Sequence, residues 1–340
     1  MGRYAVLRAI SLTAANGAFG VIAVQSIPNI FVPASTPADQ IYKLALFVLV
    51  ITGVIFLVVG GLLACSLVKF RRRPNDDGRE PGQLYGSTQI ELAWTVIPTL
   101  IVLVLFLTTA RVIHGIEDAQ APQNALDVTV VGHQFWWEFR YPQYGVLTAN
   151  ELHVPVSDPS NPTPTYLTLL SADVLHSFWV PQLAGKTDVI PNHVNHTWID
   201  PQQPGVYLGQ CAMYCGTQHA HMLLRVYVES RAAFDRWIHE QQKPAAADPS
   251  VAAGRQIFEA TACINCHSIR ETIADGRFGP DLTHLMSRTT LGSGVMPNTP
   301  DDLRRWIENA GTIKPGCQMP AMNLSSQQLD ELVAYLETLR

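Results

Sequence analysis

The chain has 340 residues, of which 47% are hydrophobic and only 15% charged, with a net charge of −5. Soluble domains carry about 25% charged residues, so one water-soluble fold throughout is excluded, while the length leaves room for two or three domains. The net charge is negative, and no nucleic-acid partner is expected.

Residues 1–25 carry Arg3 and Arg8 ahead of a modest apolar stretch with small residues such as Ala18 and Gly20. That is the pattern of a cleavable signal peptide. Two charge-free runs follow, Leu44–Val68 between Lys43 and Lys69, and Leu92–Ala110 between Glu91 and Arg111. Each reaches the roughly 20 residues that a helix needs to cross a bilayer, which predicts a transmembrane hairpin over residues 41–113. The connection carries Lys69, Arg71, Arg72, Arg73 and Arg79, whereas the outer flanks carry Lys43 and Arg111. By the positive-inside rule the connection is cytoplasmic and everything after Arg111 is exported. Cys65, in "LLAC", lies deep in the first span and reads as lipid-buried packing.

Residues 114–243 form the next unit. "LDVTVV", "TYLTLL" and "LLRVYV" are alternating or β-branched runs punctuated by Pro, Gly and Asn, which predicts short strands in a sandwich or Greek-key barrel. In "RAAFDRWIHEQ", Phe234, Trp237 and Ile238 fall at i, i+3 and i+4 of a helix. A polar, Pro- and Ala-rich linker over 244–250 leads to a helical unit over 251–340. Asp248–Pro249, Thr299 and Ser325 with Gln328 are its helix starts, the last as a capping box.

The cysteines of an exported chain ordinarily pair, but four of the six here sit in other patterns. "GQCAMYCGTQHAHM", residues 209–222, joins Cys215, His219 and Met222 at the spacing with which a tight loop presents thiolate, imidazole and thioether to copper. Such a site takes one more imidazole from a distant strand, and His176 in "SADVLHSFWVP" is the candidate. Cys211 is one thiolate too many for a single copper; two thiolates can bridge two ions and let one electron spread over both. A Cys2His2 zinc site is the competing reading, but it uses neither Met222 nor an export address. His221 alternates with His219 on a predicted strand, and spacing favours His219.

"ACINCH", residues 262–267, is the Cys-x-x-Cys-His pattern of c-type haem attachment. Cys263 and Cys266 would form the thioether bonds and His267 would ligate iron. A second axial ligand is offered by Met319 or Met322 in "IKPGCQMPAM", and Cys317 beside them reads as an inert thiol.

"GQCAMYCGTQHAHM", "SADVLHSFWVPQLAGKTDVIP", "VVGHQFWWEFRYP" and "IELAWTVIP" resemble subunit II of cytochrome c oxidase, in the bacterial caa-type form with a cytochrome c fused at its C-terminus. The resemblance runs from about Ile41 to the end. It implies a multidomain membrane protein: a two-helix hairpin, an all-β cupredoxin-like Greek-key domain, and an all-α class I cytochrome c domain. It implies two copper ions in a CuA centre held by His176, Cys211, the carbonyl of Met213, Cys215, His219 and Met222. One covalent haem c is implied on Cys263 and Cys266, with His267 and, from the Met-Pro pattern, Met319 on the iron. It further implies electron entry to a haem–copper subunit I that reduces oxygen and pumps protons. Subunit III and an external cytochrome c or other donor are further expected partners, and the bacterial inner membrane, multi-pass with both redox domains periplasmic, is the expected location.

Two departures qualify the resemblance. Met213 stands where the family has a glutamate that also reaches magnesium, and a thioether is a poor magnesium ligand. Phe135 stands where the family has its electron-entry tryptophan, so the route is expected to move to the following Trp136 or Trp137, with Trp136 the candidate, unless these rings are merely core or interface. Glu91 starts the second span at its cytoplasmic end, where it is either a helix-dipole carboxylate or, by the resemblance, the mouth of a proton pathway. The rivals are an exported copper-delivery protein, which would need no tethered haem, and the copper-containing part of a nitric oxide or nitrous oxide reductase. The two redox units carry net charges of −6 (114–243) and −3 (248–340), so they are expected to repel and to meet through confinement by a flexible linker.

Overall fold

A computed structural model describes residues 29–71, 74, 78, 82, 83, 85–117, 125–245 and 248–340. The predicted signal peptide and most of the basic connection, including Arg72, Arg73 and Arg79, lie outside the described residues.

Helices α1 (Thr36–Lys69) and α2 (Thr88–Glu117) contain the two apolar runs and extend beyond them. Both are long and apolar enough to cross a membrane, and their most hydrophobic windows are wholly unburied by the rest of the chain. The exported ends of both helices are tied to the β domain. Ser35 Oγ accepts from Asp200 N at 2.7 Å, and Thr36 Oγ1 donates to Asp200 Oδ2 at 2.6 Å. Trp198 Nε1 donates to Ile116 O at 2.8 Å.

The β domain is a sandwich. One sheet contains β1 (Leu126–His133), β2 (Trp136–Tyr141), β3 (Val146–Ala149), β5 (Thr165–Ser171) and β8 (Asn195–Ile199), in the order β3-β2-β1-β5-β8. The other contains β4 (Glu151–Pro155), β6 (His176–Trp179), β7 (Thr187–Val189), β9 (Gly205–Cys211) and β10 (Leu223–Glu229), in the order β4-β10-β9-β6-β7. The pairs β1–β5 and β4–β10 are parallel, so the chain crosses between the sheets rather than turning back as hairpins. The buried alternation of β10 turns Leu224, Val226 and Val228 into a core with Val128, Val130, Trp137, Phe139 and Leu169. Helix α3 (Arg231–Gln241), capped by Ser230, lays Phe234 and Ile238 on that core.

The helical domain starts at a short 3-10 turn, Pro249–Val251, with Asp248 Oδ1 accepting from Ser250 N. Helix α4 (Ala252–Ala260) crosses α7 (Ser326–Leu336), with α5 (Cys263–Cys266) and α6 (Pro300–Ile313) beside them. Ser325 and Gln328 form the predicted capping box, and Thr299 caps α6. Phe258, Leu303, Ile307, Leu332 and Leu336 form a second, separate core.

The expectation of two mutually repelling domains on a loose tether is corrected here, because the helical domain is docked on the β domain. Glu151, only 2% exposed, accepts from the backbone N–H groups of Thr289 and Thr290 at 2.9 and 3.0 Å and from the Thr289 hydroxyl at 2.7 Å. Ser293 Oγ donates to Leu223 O at 2.6 Å, and Gln218 Nε2 to Pro315 O at 2.8 Å. Arg270 Nη1 and Nη2 donate to Gln241 O and Gly145 O. These are single charged or polar groups meeting main-chain partners, which net charge does not register.

Candidate metal and haem centres

The sulfur-rich loop leaves β9 at Cys211 and returns to β10 after Met222, so strand pairing on both sides clamps its ends: Cys211 N donates to Met222 O at 2.9 Å. Between them the chain makes a 3-10 turn over His219–His221, not the predicted strand. That turn sends the two histidines apart. His219 Nδ1 lies 3.7 Å from Cys215 Sγ, whereas His221 is exposed and its Nδ1 pairs with Gln218 Oε1 at 2.7 Å. The structure thus places His219, and not His221, beside the thiols.

The remaining donors converge. Cys211 Sγ and Cys215 Sγ are 3.8 Å apart, and Met222 Sδ is 3.9 Å from Cys215 Sγ. The Met213 carbonyl is 3.2 Å from Cys211 Sγ, and His176 Nδ1, arriving from β6, is 3.9 Å from it. His176 and Met222 have no exposed surface, and both thiols are buried. No cysteine is paired in a disulfide among the described residues. The His176 ring fits because β1 offers glycine beside it: a Cβ at Gly132 would lie 2.9 Å from His176 Cδ2. His176 Nε2 is held by Asp173 Oδ1 at 2.7 Å, which orients Nδ1 toward the thiols. Asp173 also accepts from the backbone of Gln134 and Val174. Burial would raise its carboxyl, but the His176 bond and the two N–H donors hold it below the usual carboxylate range. Chief among the causes that lower Cys211 is the neighbouring Cys215 thiol, and His176 adds to it; the same thiolate pushes Cys215 up. Two soft cations held there would ionise both thiols.

In the helical domain a cavity of about 340 Å³ is lined by Cys263, Cys266, His267, Met319 and Met322 among mainly apolar side chains. His267 Nδ1 is bonded to Pro280 O at 2.8 Å, which leaves Nε2 for the cavity side, and burial lowers its basicity. Arg288 lines the same cavity at 8% exposure, and its Nε has no partner among the described residues. An unpaired buried guanidinium N–H beside an apolar cavity fits a carboxylate-bearing porphyrin. The cavity accommodates Met319 and Met322 alike.

The cavity is not closed by its own domain. Gln134, Phe135, Trp136 and Asn150 of the β domain line it as well. Phe135 also touches the sulfur loop, since a Cβ at Gly216 would stand 3.0 Å from its ring. Trp136 stacks on His133 with centroids 4.2 Å apart. Trp137 is fully buried and its Nε1 reaches Met222 O at 3.4 Å, so it belongs to the core behind the loop. Sequence reasoning missed Asp173, Arg288 and Lys314, the last bridging the domains; the "KPG" around Lys314 carries no signal of that bridge. Glu91 lies in the first turn of α2 on the side remote from both centres.

A soft-donor loop in a β-sandwich, a haem-type cavity in a helical domain and two membrane-length helices define a membrane-anchored electron-transfer protein. Sequence profiles agree domain by domain. "Cytochrome C oxidase subunit II, transmembrane domain" matches residues 25–112, "Cytochrome C oxidase subunit II, periplasmic domain" 159–229, and "Cytochrome c" 251–340. Cytochrome c oxidase subunit 2 of Alkalihalophilus pseudofirmus is 32% identical over 317 residues, covering 91% of this chain and 90% of that one. The same subunit of Bacillus sp. (strain PS3) is 33% identical over 328 residues, with equal coverage. The crystallised periplasmic domain of subunit II of cytochrome oxidase (CoxB) from Bradyrhizobium japonicum is 27% identical, covering 36% of this chain and 97% of that one at a TM-score of 0.34. The chain belongs to the cytochrome c oxidase subunit 2 family, in the form that carries a fused cytochrome c domain. It is a subunit of an oxidoreductase complex, anchored in a membrane with periplasmic domains; copper, haem c and a haem–copper subunit I follow from that membership.

Proposed function

We propose that the chain passes electrons from a covalent haem c to a dinuclear copper centre and on to subunit I, where oxygen is reduced to water and protons are pumped. The observation that carries this reading is the convergence of five soft or imidazole donors and one carbonyl on one buried loop, with the haem-type cavity directly across Phe135. Cys211 and Cys215 would bridge two coppers, with His176, His219, Met222 and the Met213 carbonyl completing the shells. A pair of coppers held by these residues would supply a one-electron store. Asp173 fixes the His176 ring, and the strand ends hold the loop, so the donors are set before any metal arrives. On the haem side Cys263 and Cys266 would hold the porphyrin, His267 and Met319 the iron, and Arg288 a propionate.

Phe135 and Trp136 line the haem-type cavity from the copper domain and are 7% and 9% exposed, which favours entry through the haem domain over direct contact of a protein donor with the copper domain. A further cytochrome or another donor would then reduce the haem. Domain limits of 41–113, 114–243 and 251–340, with residues 244–250 as linker and a cleaved segment over 1–25, are part of the same reading, as are a bacterial inner-membrane location and a subunit III partner. Glu91 at the cytoplasmic end of α2 would feed a proton pathway into subunit I. Metal analysis with electron paramagnetic resonance of the purified chain tests the core of this. Two coppers per chain with hyperfine structure from two equivalent nuclei, and haem that stays with the polypeptide in denaturant, are the expected results. One zinc and no copper would refute it.

A further inference from the structure

Lys314 is a buried lysine with no carboxylate partner among the described residues. It is 3% exposed, and its Nζ donates to Phe135 O at 2.8 Å, His221 O at 2.8 Å and Gly292 O at 2.7 Å. An ammonium has three protons, so its donor capacity is filled by these three carbonyls. Two of them belong to the copper domain and one to the haem domain. Phe135 precedes the Trp136 that lines the haem cavity, His221 ends the turn carrying His219, and Gly292 itself lines the cavity. Lys314 itself begins the loop that delivers Met319. Burial lowers its pKa to about 8, so it remains mainly charged at neutral pH.

We propose that Lys314 is the positioning residue that locks the haem domain onto the copper domain, fixing the gap across which the electron moves. The proposal rests on the haem-to-copper reading above. Burying a charged ammonium is unfavourable unless every proton is satisfied, and only the docked arrangement provides all three acceptors. An undocked haem domain would retain Gly292 O alone. Lys314 therefore converts the docked geometry from one arrangement among many into the one in which its charge is satisfied, despite net charges of −6 and −3 on the two units.

The test uses the full-length chain with Lys314→Met, which keeps the stem and removes the charge, and Lys314→Gln, which keeps one donor group. Amide exchange at Leu223, Thr289 and Thr290, whose N–H groups bond across the boundary, reads docking without requiring copper or electron transfer. Laser-flash photoreduction of the haem reads the transfer rate. In the Met variant, cross-boundary protection should be lost while the copper spectrum and the Met–iron charge-transfer band are unchanged. The haem-to-copper rate should fall at least tenfold, become viscosity-dependent and rise with salt, because re-docking of two acidic domains then limits it. The Gln variant should lie between. Unchanged protection and rate in both variants would overturn the proposal. Loss of the Met–iron band with protection intact would also overturn it, making Lys314 a support of the haem loop alone. If docking is lost as expected but no electron reaches copper even in the unmodified chain, the lock stands and the electron-transfer reading fails.

Discussion

His176 has its two ring nitrogens assigned before any metal is considered, because Asp173 takes Nε2 and the thiols face Nδ1. Asp173→Asn is therefore expected to weaken copper binding by tenfold to a hundredfold, the usual cost of losing an outer-shell carboxylate, measured by competition with a copper chelator. Cys211→Ser removes one of the two thiols proposed to bridge; copper content should fall and the two-nucleus hyperfine pattern vanish, while the haem spectrum is untouched. A retained pattern would mean that Cys211 does not bridge. Glu91→Gln tests the remaining carboxylate in the assembled oxidase. Steady turnover should slow while haem-to-copper transfer stays normal, and unchanged turnover would reduce Glu91 to a helix-end charge.

Among the elements, the crossing of α4 and α7 holds the haem domain together and leaves least room for change. A Cβ at Gly254 would stand 1.9 Å from Glu331 O, a backbone atom that cannot swing aside. Gly254→Ala is expected to cost about 3 kcal/mol or more by forcing the helices apart, seen as a lowered midpoint when haem absorbance follows thermal unfolding. A midpoint equal to the parent's would mean that α4 can shift along α7 without loss. Ser325→Ala, which removes one half of the capping box, should cost only about 1 kcal/mol, because the backbone keeps its helical path.

At the scale of the whole molecule, docking replaces tethering. The contacts of Glu151, Ser293, Gln218 and Lys314 are buried and screened from solvent ions, so intramolecular transfer should vary little between roughly 0.05 and 1 M salt. Confinement by a linker alone predicts the same flat profile, so salt does not separate the two arrangements. Cutting does. A protease site placed within residues 244–250 and cleaved should leave the haem domain bound to the membrane-anchored part in gel filtration at micromolar concentration. Release on cleavage would mean that the linker, not the interface, holds the domains together.

The sequence alone determined the chemistry and the order of parts. Metal and haem donors must sit at short fixed spacings, so Cys211 to Met222 and Cys263 to His267 are legible as written, and membrane spans need only length and apolarity. Helix caps at Asp248, Thr299 and Ser325 were equally readable, because capping is local. Tertiary structure placed His219 beside Cys215 and His221 beside Gln218, through a 3-10 turn that strand periodicity does not anticipate. It alone revealed Asp173 behind His176 and Phe135 between the two centres. The docking was the least legible feature, since Lys314 is held by the main-chain carbonyls of residues 135, 221 and 292. Every residue carries such a carbonyl, so no side-chain pattern marks which three the fold will bring to one ammonium.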